Sequence, residues 1–196
     1  MSETLKRQAT VLGTIVAIMW IAFFATVATH GALLSLGVIP RSVIGLRGIL
    51  FAPFLHGSFA HLLANSIPFA IMGWLVMLRD PRHFISVTAS AMLGSGLLAW
   101  LIGAPGSVHV GASGVIFGYL GFLLLSGWYA RSAASILISV VVAVTFGGLV
   151  LGVFPGQVGI SWQAHLGGFI GGVLAARSYR AVPLARTTEK NYYSTE

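Results

Sequence analysis

VLGTIVAIMWIAFFATVATHGALLSL, residues 11–36, carries no charged side chain and is long enough, as a helix, to cross a hydrocarbon core of about 30 Å. It lies inside a charge-free run from Gln8 to Pro40. Three further runs, from Gly48 to Leu78, Phe84 to Ala130 and Ser132 to Ala176, are also uncharged apart from histidines. With 57% of its 196 residues hydrophobic and 8% charged, the chain cannot cover a water-exposed surface with polar groups. Dividing the runs at glycines, prolines and charges predicts an all-α polytopic membrane protein, one domain over 1–196. Its six transmembrane helices are expected over about 11–36, 59–78, 84–102, 112–129, 133–153 and 161–178. Lys6 and Arg7 resemble the start of a signal peptide. The apolar run behind them is longer than the roughly 7–15 residues of such a peptide, so it reads as the first span.

The formal net charge is +7, from 11 basic and 4 acidic residues. The basic residues sit at segment ends rather than on one face, which points to membrane topology and not to a nucleic-acid partner. A cytoplasmic N-terminus puts Lys6, Arg7, Arg79, Arg82, Arg131, Arg177, Arg180, Arg186 and Lys190 inside and leaves Arg41 and Arg47 outside. Both termini, including a tail over 181–196, are then cytoplasmic. The connection from Gly37 to Gly57, with Pro40 and Pro53, reads as an ordered interfacial segment. Without cysteine, disulfides, thiolate chemistry and cysteine-ligated zinc are excluded.

In this topology spans two, four and six all run inward, and their first turns share one depth. HGSFAHLLAN, residues 56–65, places His61 and Asn65 on one helix face, with Ser58 a turn earlier. GASG, residues 111–114, places Ser113 where a loop becomes span four, with Gly111 and Gly114 admitting close neighbours and the helix N-terminus offering free N–H groups. His165 opens span six in QAHLGG. Taken singly, each is better read as interhelical hydrogen bonding or small-residue packing, as with the pairs Gly167/Gly171 and Gly168/Gly172. Taken together, they offer a hydroxyl nucleophile, a base and oxyanion donors at one level.

Here the chain resembles the rhomboid family of intramembrane serine proteases. HGSFAHLLAN matches His-x4-His-x3-Asn on the second span, GASG matches Gly-x-Ser-Gly on the fourth, and AHLGGFIGG matches His-x2-Gly-x3-Gly on the sixth. The resemblance implies a rhomboid-like bundle with Ser113 as nucleophile, His165 as general base, and His61 and Asn65 as oxyanion donors helped by the Ser113 N–H. It further implies that His56 supports hydrogen bonding near the site, that Gly111 belongs to the nucleophile loop, and that Gly168 and Gly172 let span six approach span four. Phe117, one turn after Ser113, stands where the family often stacks an aromatic ring on the histidine. Implied substrates are single-pass or polytopic membrane proteins, entering between spans two and five under a cap such as FPGQVGIS, in the plasma membrane and, for this type, a bacterial inner membrane.

The residues support a dyad independently. The acidic residues are Glu3, Asp80, Glu189 and Glu196, none placed to reach an outward-facing His165. An imidazole in a partly desolvated place with no carboxylate partner is expected to be neutral and able to accept the serine proton. No metal and no cofactor is called for, and HExxH is absent. A channel would need polar residues at several depths. A non-catalytic relative would usually have lost the Ser or His. No tryptophan precedes either outer arginine between the first two spans, unlike many relatives. His30 and His109 match no catalytic position and read as interfacial or packing residues. Pro68 is a candidate kink in span two.

Overall fold

The computed structural model describes residues 3–79, 81–157 and 159–178, without the side chain of Arg82. The expected tail over 181–196, with Arg180, Arg186 and Lys190, lies outside the described residues, as does Asp80.

Among the described residues six long helices follow the six expected spans: α1 (Glu3–Ala28), α2 (Phe59–Arg79), α3 (Pro81–Ile102), α4 (Ser113–Ala130), α5 (Ala133–Phe146) and α6 (Trp162–Ser178). Helix α1 stops at Ala28 because His30 and Gly31 turn left-handed at φ 49° and 87°. Residues Ala32–Leu36, expected within span one, form a separate 3-10 turn. The fifth apolar run changes at Gly147 into a 3-10 segment, Gly147–Val153. By length and composition, five described helices can cross a membrane, the fifth counted with that 3-10 segment. The sixth expected span is the 17-residue α6, wedged against α3 and α4.

Helix α4 is the axis of the bundle. Of its apolar window 67% is buried, against 6% for Ala133–Val153, so α4 is walled by protein and the fifth segment presents its branched side chains outward. Tyr119, fully buried, donates to Thr88 Oγ1 at 2.8 Å, and Thr88 in turn donates to the Phe84 carbonyl at 2.6 Å. Ser139 Oγ of α5 donates to the Leu123 carbonyl at 2.6 Å and accepts from Gly127 N at 3.2 Å. Trp20 Nε1 of α1 donates to Ser66 Oγ of α2 at 3.2 Å. In an apolar medium these few polar contacts fix which helix faces meet.

The approach of α6 is closer than side chains would permit. A Cβ on Gly167 would strike the Gly94 carbonyl of α3, and one on Gly171 the Ser90 carbonyl. On the adjacent face, a Cβ on Gly168 or Gly172 would strike the carbonyls of Gly114 and Gly118 in α4. Two glycine pairs therefore seat one helix against two neighbours, backbone to backbone.

The connection between α1 and α2 is ordered, as its prolines and arginines suggest. Val38 and His109 exchange backbone hydrogen bonds of 2.9 and 3.0 Å, and Gly111 N donates to the Ala52 carbonyl at 2.8 Å. Arg41 Nη1 donates to the carbonyls of Leu101 and Gly103 at 3.2 and 3.0 Å, and Trp100 Nε1 to that of Ser42 at 2.8 Å. The segment is thus bolted to the end of α3 and to the loop that precedes Ser113. Its outer side exposes Val43, Ile44, Leu50 and Phe51.

Gly172→Val should lower the unfolding free energy in detergent micelles by about 2 kcal/mol or more, since a rigid carbonyl occupies the space. Gly13→Ala, where nothing lies within 4 Å, should leave stability unchanged or raise it. Thermal unfolding of the two variants side by side checks the contrast.

Candidate active site

The first turns of α2, α4 and α6 meet at one end of the bundle. Ala112, N-cap of α4, contributes no side-chain cap, so the first-turn amides at Ser113 and Gly114 have no acceptor within their helix. Gly111 reaches this turn at φ +114°, a backbone conformation that side chains rarely adopt.

Ser113 Oγ lies 2.8 Å from His165 Nε2. The other ring nitrogen, Nδ1, is 3.0 Å from the Gly152 carbonyl. A carbonyl only accepts, so Nδ1 holds the proton and donates to it, which leaves Nε2 to accept from the serine hydroxyl. The Phe117 ring lies parallel to the imidazole, centroids 4.0 Å apart and planes 13° from each other. His165 is 7% exposed, so hydrogen bond and stacking hold a ring that has little room to turn. Gly152 was not legible as a site residue: it lies in the 3-10 segment after α5, and a glycine carbonyl carries no side-chain signal.

His61 and Asn65 stand across the GASG turn from this pair. A Cβ built on Gly111 would lie 2.6 Å from His61 Nε2 and 3.3 Å from Asn65 Nδ2, so both side chains press on the GASG turn. Asn65 is 5% exposed, and its Nδ2 has no hydrogen-bond partner. An unmet buried amide is costly, and here it lines the same cavity as Ser113. Ser58 Oγ accepts from the His61 amide at 3.1 Å, acting as a helix cap rather than as a site group.

His56 is fully buried, 5.0 Å from His61 in an edge-to-face contact. Its Nδ1 donates to the Phe54 carbonyl at 3.3 Å, while Nε2 is unpartnered. Burial, and then the neighbouring His61, push the His56 pKa down to about 4 against the opposing effect of the Phe54 hydrogen bond.

A cavity of about 1230 Å³ opens over these groups. His61, Asn65, Ser113 and His165 line its floor, and Gly156, Gln157 and Gly159 line its rim. Among the described residues no cluster of His, Asp or Glu could hold a metal ion. Glu3, the carboxylate among them, pairs with Lys6 at 2.8 Å. Chemically, the arrangement offers an uncharged hydroxyl with a neutral acceptor, opposite a set of donors and inside a water-accessible hollow.

A family model, the Rhomboid domain, matches residues 45–181. The chain belongs to the rhomboid family. An uncharacterized protein of Mycobacterium tuberculosis is 40% identical over 188 residues, 89% of this chain and 78% of that protein. An uncharacterized protein of Mycobacterium leprae is 39% identical over the same length, 74% of its own chain. Rhomboid-like protease 5 of Toxoplasma gondii is 34% identical over 154 residues, 71% of this chain and 17% of that protein.

The His56 environment generates a stability test. Because the folded-state pKa of about 4 lies below the ordinary 6.5, the unfolded chain binds the extra proton first. His56 therefore contributes a loss of stability as pH falls from about 6.5 toward 4, and none above that window. His56→Gln should flatten the pH dependence of the unfolding free energy within that window, as chemical denaturation at stepped pH would read.

Proposed function

We propose that the protein is an intramembrane serine endopeptidase that cuts transmembrane segments of other membrane proteins by a Ser113–His165 dyad. The observation that carries this reading is the 2.8 Å contact between Ser113 Oγ and a His165 ring whose other nitrogen is committed to a carbonyl. Ser113 Oγ attacks the scissile carbonyl carbon as its proton passes to His165 Nε2. The resulting oxyanion takes hydrogen bonds from Asn65 Nδ2, from His61 and from the Ser113 N–H. His165 then protonates the departing amine, the C–N bond breaks, and an ester to Ser113 remains. Water from the cavity, activated by the same imidazole, hydrolyses that ester and restores the serine. No carboxylate is required, because the Gly152 carbonyl fixes the tautomer.

The packing supports a substrate route between α2 and the segment after α5. Helix α5 packs chiefly on α4, and the cavity extends between the α2 side chains Ala64 and Pro68 and the Gly148–Gly152 stretch beyond α5. A transmembrane segment enters sideways there, beneath the stretch from Phe154 to Ser161, whose Gly156 and Gly159 hold left-handed conformations. Charge distribution supports an external site with both termini in the cytoplasm. The mycobacterial relatives support a bacterial plasma membrane.

Ser113→Ala and His165→Ala should each reduce cleavage of a reconstituted single-pass substrate to background while leaving thermal unfolding near that of the wild type. A fluorophosphonate should form its adduct on Ser113, as peptide mapping would locate. Full cleavage by either variant removes the dyad. Asn65→Ala should lower kcat about 10²- to 10³-fold, the usual loss for one oxyanion donor.

A further inference from the structure

His109 stands outside the groups assigned above, in the loop before α4, four residues ahead of Ser113. Its backbone is locked to Val38 in both directions. Its ring touches two serines: Nδ1 lies 2.6 Å from Ser161 Oγ and Nε2 lies 2.9 Å from Ser107 Oγ.

The proton positions in this chain can be worked out from its ends. Ser107 Oγ donates to the Ala104 carbonyl at 2.7 Å, so toward His109 it must accept, and Nε2 carries the ring proton. Nδ1 is then a lone-pair acceptor and accepts a hydrogen bond from the Ser161 hydroxyl. Ser161 Oγ in turn accepts from the Ala164 amide at 3.3 Å, and the Ser161 carbonyl accepts from the His165 amide at 3.0 Å. Ser161 is thus the N-cap of α6, with His165 one turn further on. Every donor in the relay from Ala164 N–H to the Ala104 carbonyl has an acceptor. The arrangement needs a neutral imidazole, and burial lowers the His109 pKa accordingly.

We infer that His109 is a positioning residue that clamps the N-cap of α6 to the Ser113 loop and so fixes the Ser113–His165 distance. The glycine contacts of α6 set how near the helix lies to α3 and α4 and which faces it turns to them, but they include no hydrogen bond to hold its register along its axis. The clamp removes that freedom at the end where the reacting groups meet. The catalytic consequence rests on the protease reading. The mechanical link does not.

The measurement is a double-mutant cycle in proteoliposomes on His109→Phe, which keeps a flat ring without hydrogen bonds, and Ser161→Ala. Because ångström-scale misplacement of a reacting group costs about 100-fold, each single change should lower kcat by about 10- to 100-fold with KM little altered. The double variant should be no slower than the slower single, and Ser161→Thr, which restores the hydroxyl, should recover most of the rate. A wild-type kcat in His109→Phe, or losses that multiply in the double variant, overturns the clamp. Should His109→Phe fail to fold, Ser161→Val against Ser161→Thr reads the same bond.

The chain has no cysteine, so nitroxides on Val108→Cys and Ile160→Cys report the link without catalysis. Their distance distribution should broaden on adding His109→Phe, and an unchanged distribution also overturns the inference. A wild type that neither cleaves substrate nor labels at Ser113 overturns the protease reading instead, and the nitroxide result then judges the clamp alone.

Discussion

Backbone must meet backbone where α6 joins the bundle. Gly167 and Gly171 face α3, and Gly168 and Gly172 face α4, each so close that a single methyl group would strike a carbonyl. Between apolar helices in an apolar medium there is no hydrophobic force to draw them together, so close contact and a few hydrogen bonds decide the packing. That closeness lets an imidazole on one helix reach a hydroxyl at the start of another. Side chains of ordinary size at these four positions would separate the helices by more than a hydrogen bond can span.

The site built on this contact is nearly free of formal charge. His165 is oriented by the Gly152 carbonyl and the Phe117 ring, and Asn65 keeps an amide group without a partner in the cavity that Ser113 also lines. In a low-dielectric setting neutral dipoles cost far less to bury than a carboxylate would, and they act more strongly than in water. An imidazole held by a carbonyl and a ring face needs no buried carboxylate to orient it. The same reasoning fits a cavity whose polar lining is made of neutral side chains such as Asn65, Ser113 and Gln163.

The segment between α1 and α2 joins this site to the rest of the molecule. It holds the loop before Ser113 at Ala52 and at Val38, and the contact with Val38 also anchors His109. The loop before α4 and the cap of α6 therefore share a support that belongs to neither helix. A residue that looked like interfacial filler from its position in the chain becomes, in three dimensions, a bridge between two of the three elements that deliver polar groups.

The amino-acid sequence by itself determined the helical, membrane-spanning architecture, because charge-free runs of such length have no other stable state in water or lipid. It also determined the depth shared by His61, Asn65, Ser113 and His165, since alternating direction puts the starts of the second, fourth and sixth helices at one level. Where α1 would end was less legible, because His30 adopts a left-handed conformation that its residue type does not announce. Only the tertiary structure decided that Gly152 orients His165, that His109 binds Ser161, and that Gly167 and Gly171 of α6 seat against α3. A carbonyl partner or a bond across 52 positions of chain leaves no local pattern. Such contacts exist only once helix packing has chosen which faces meet.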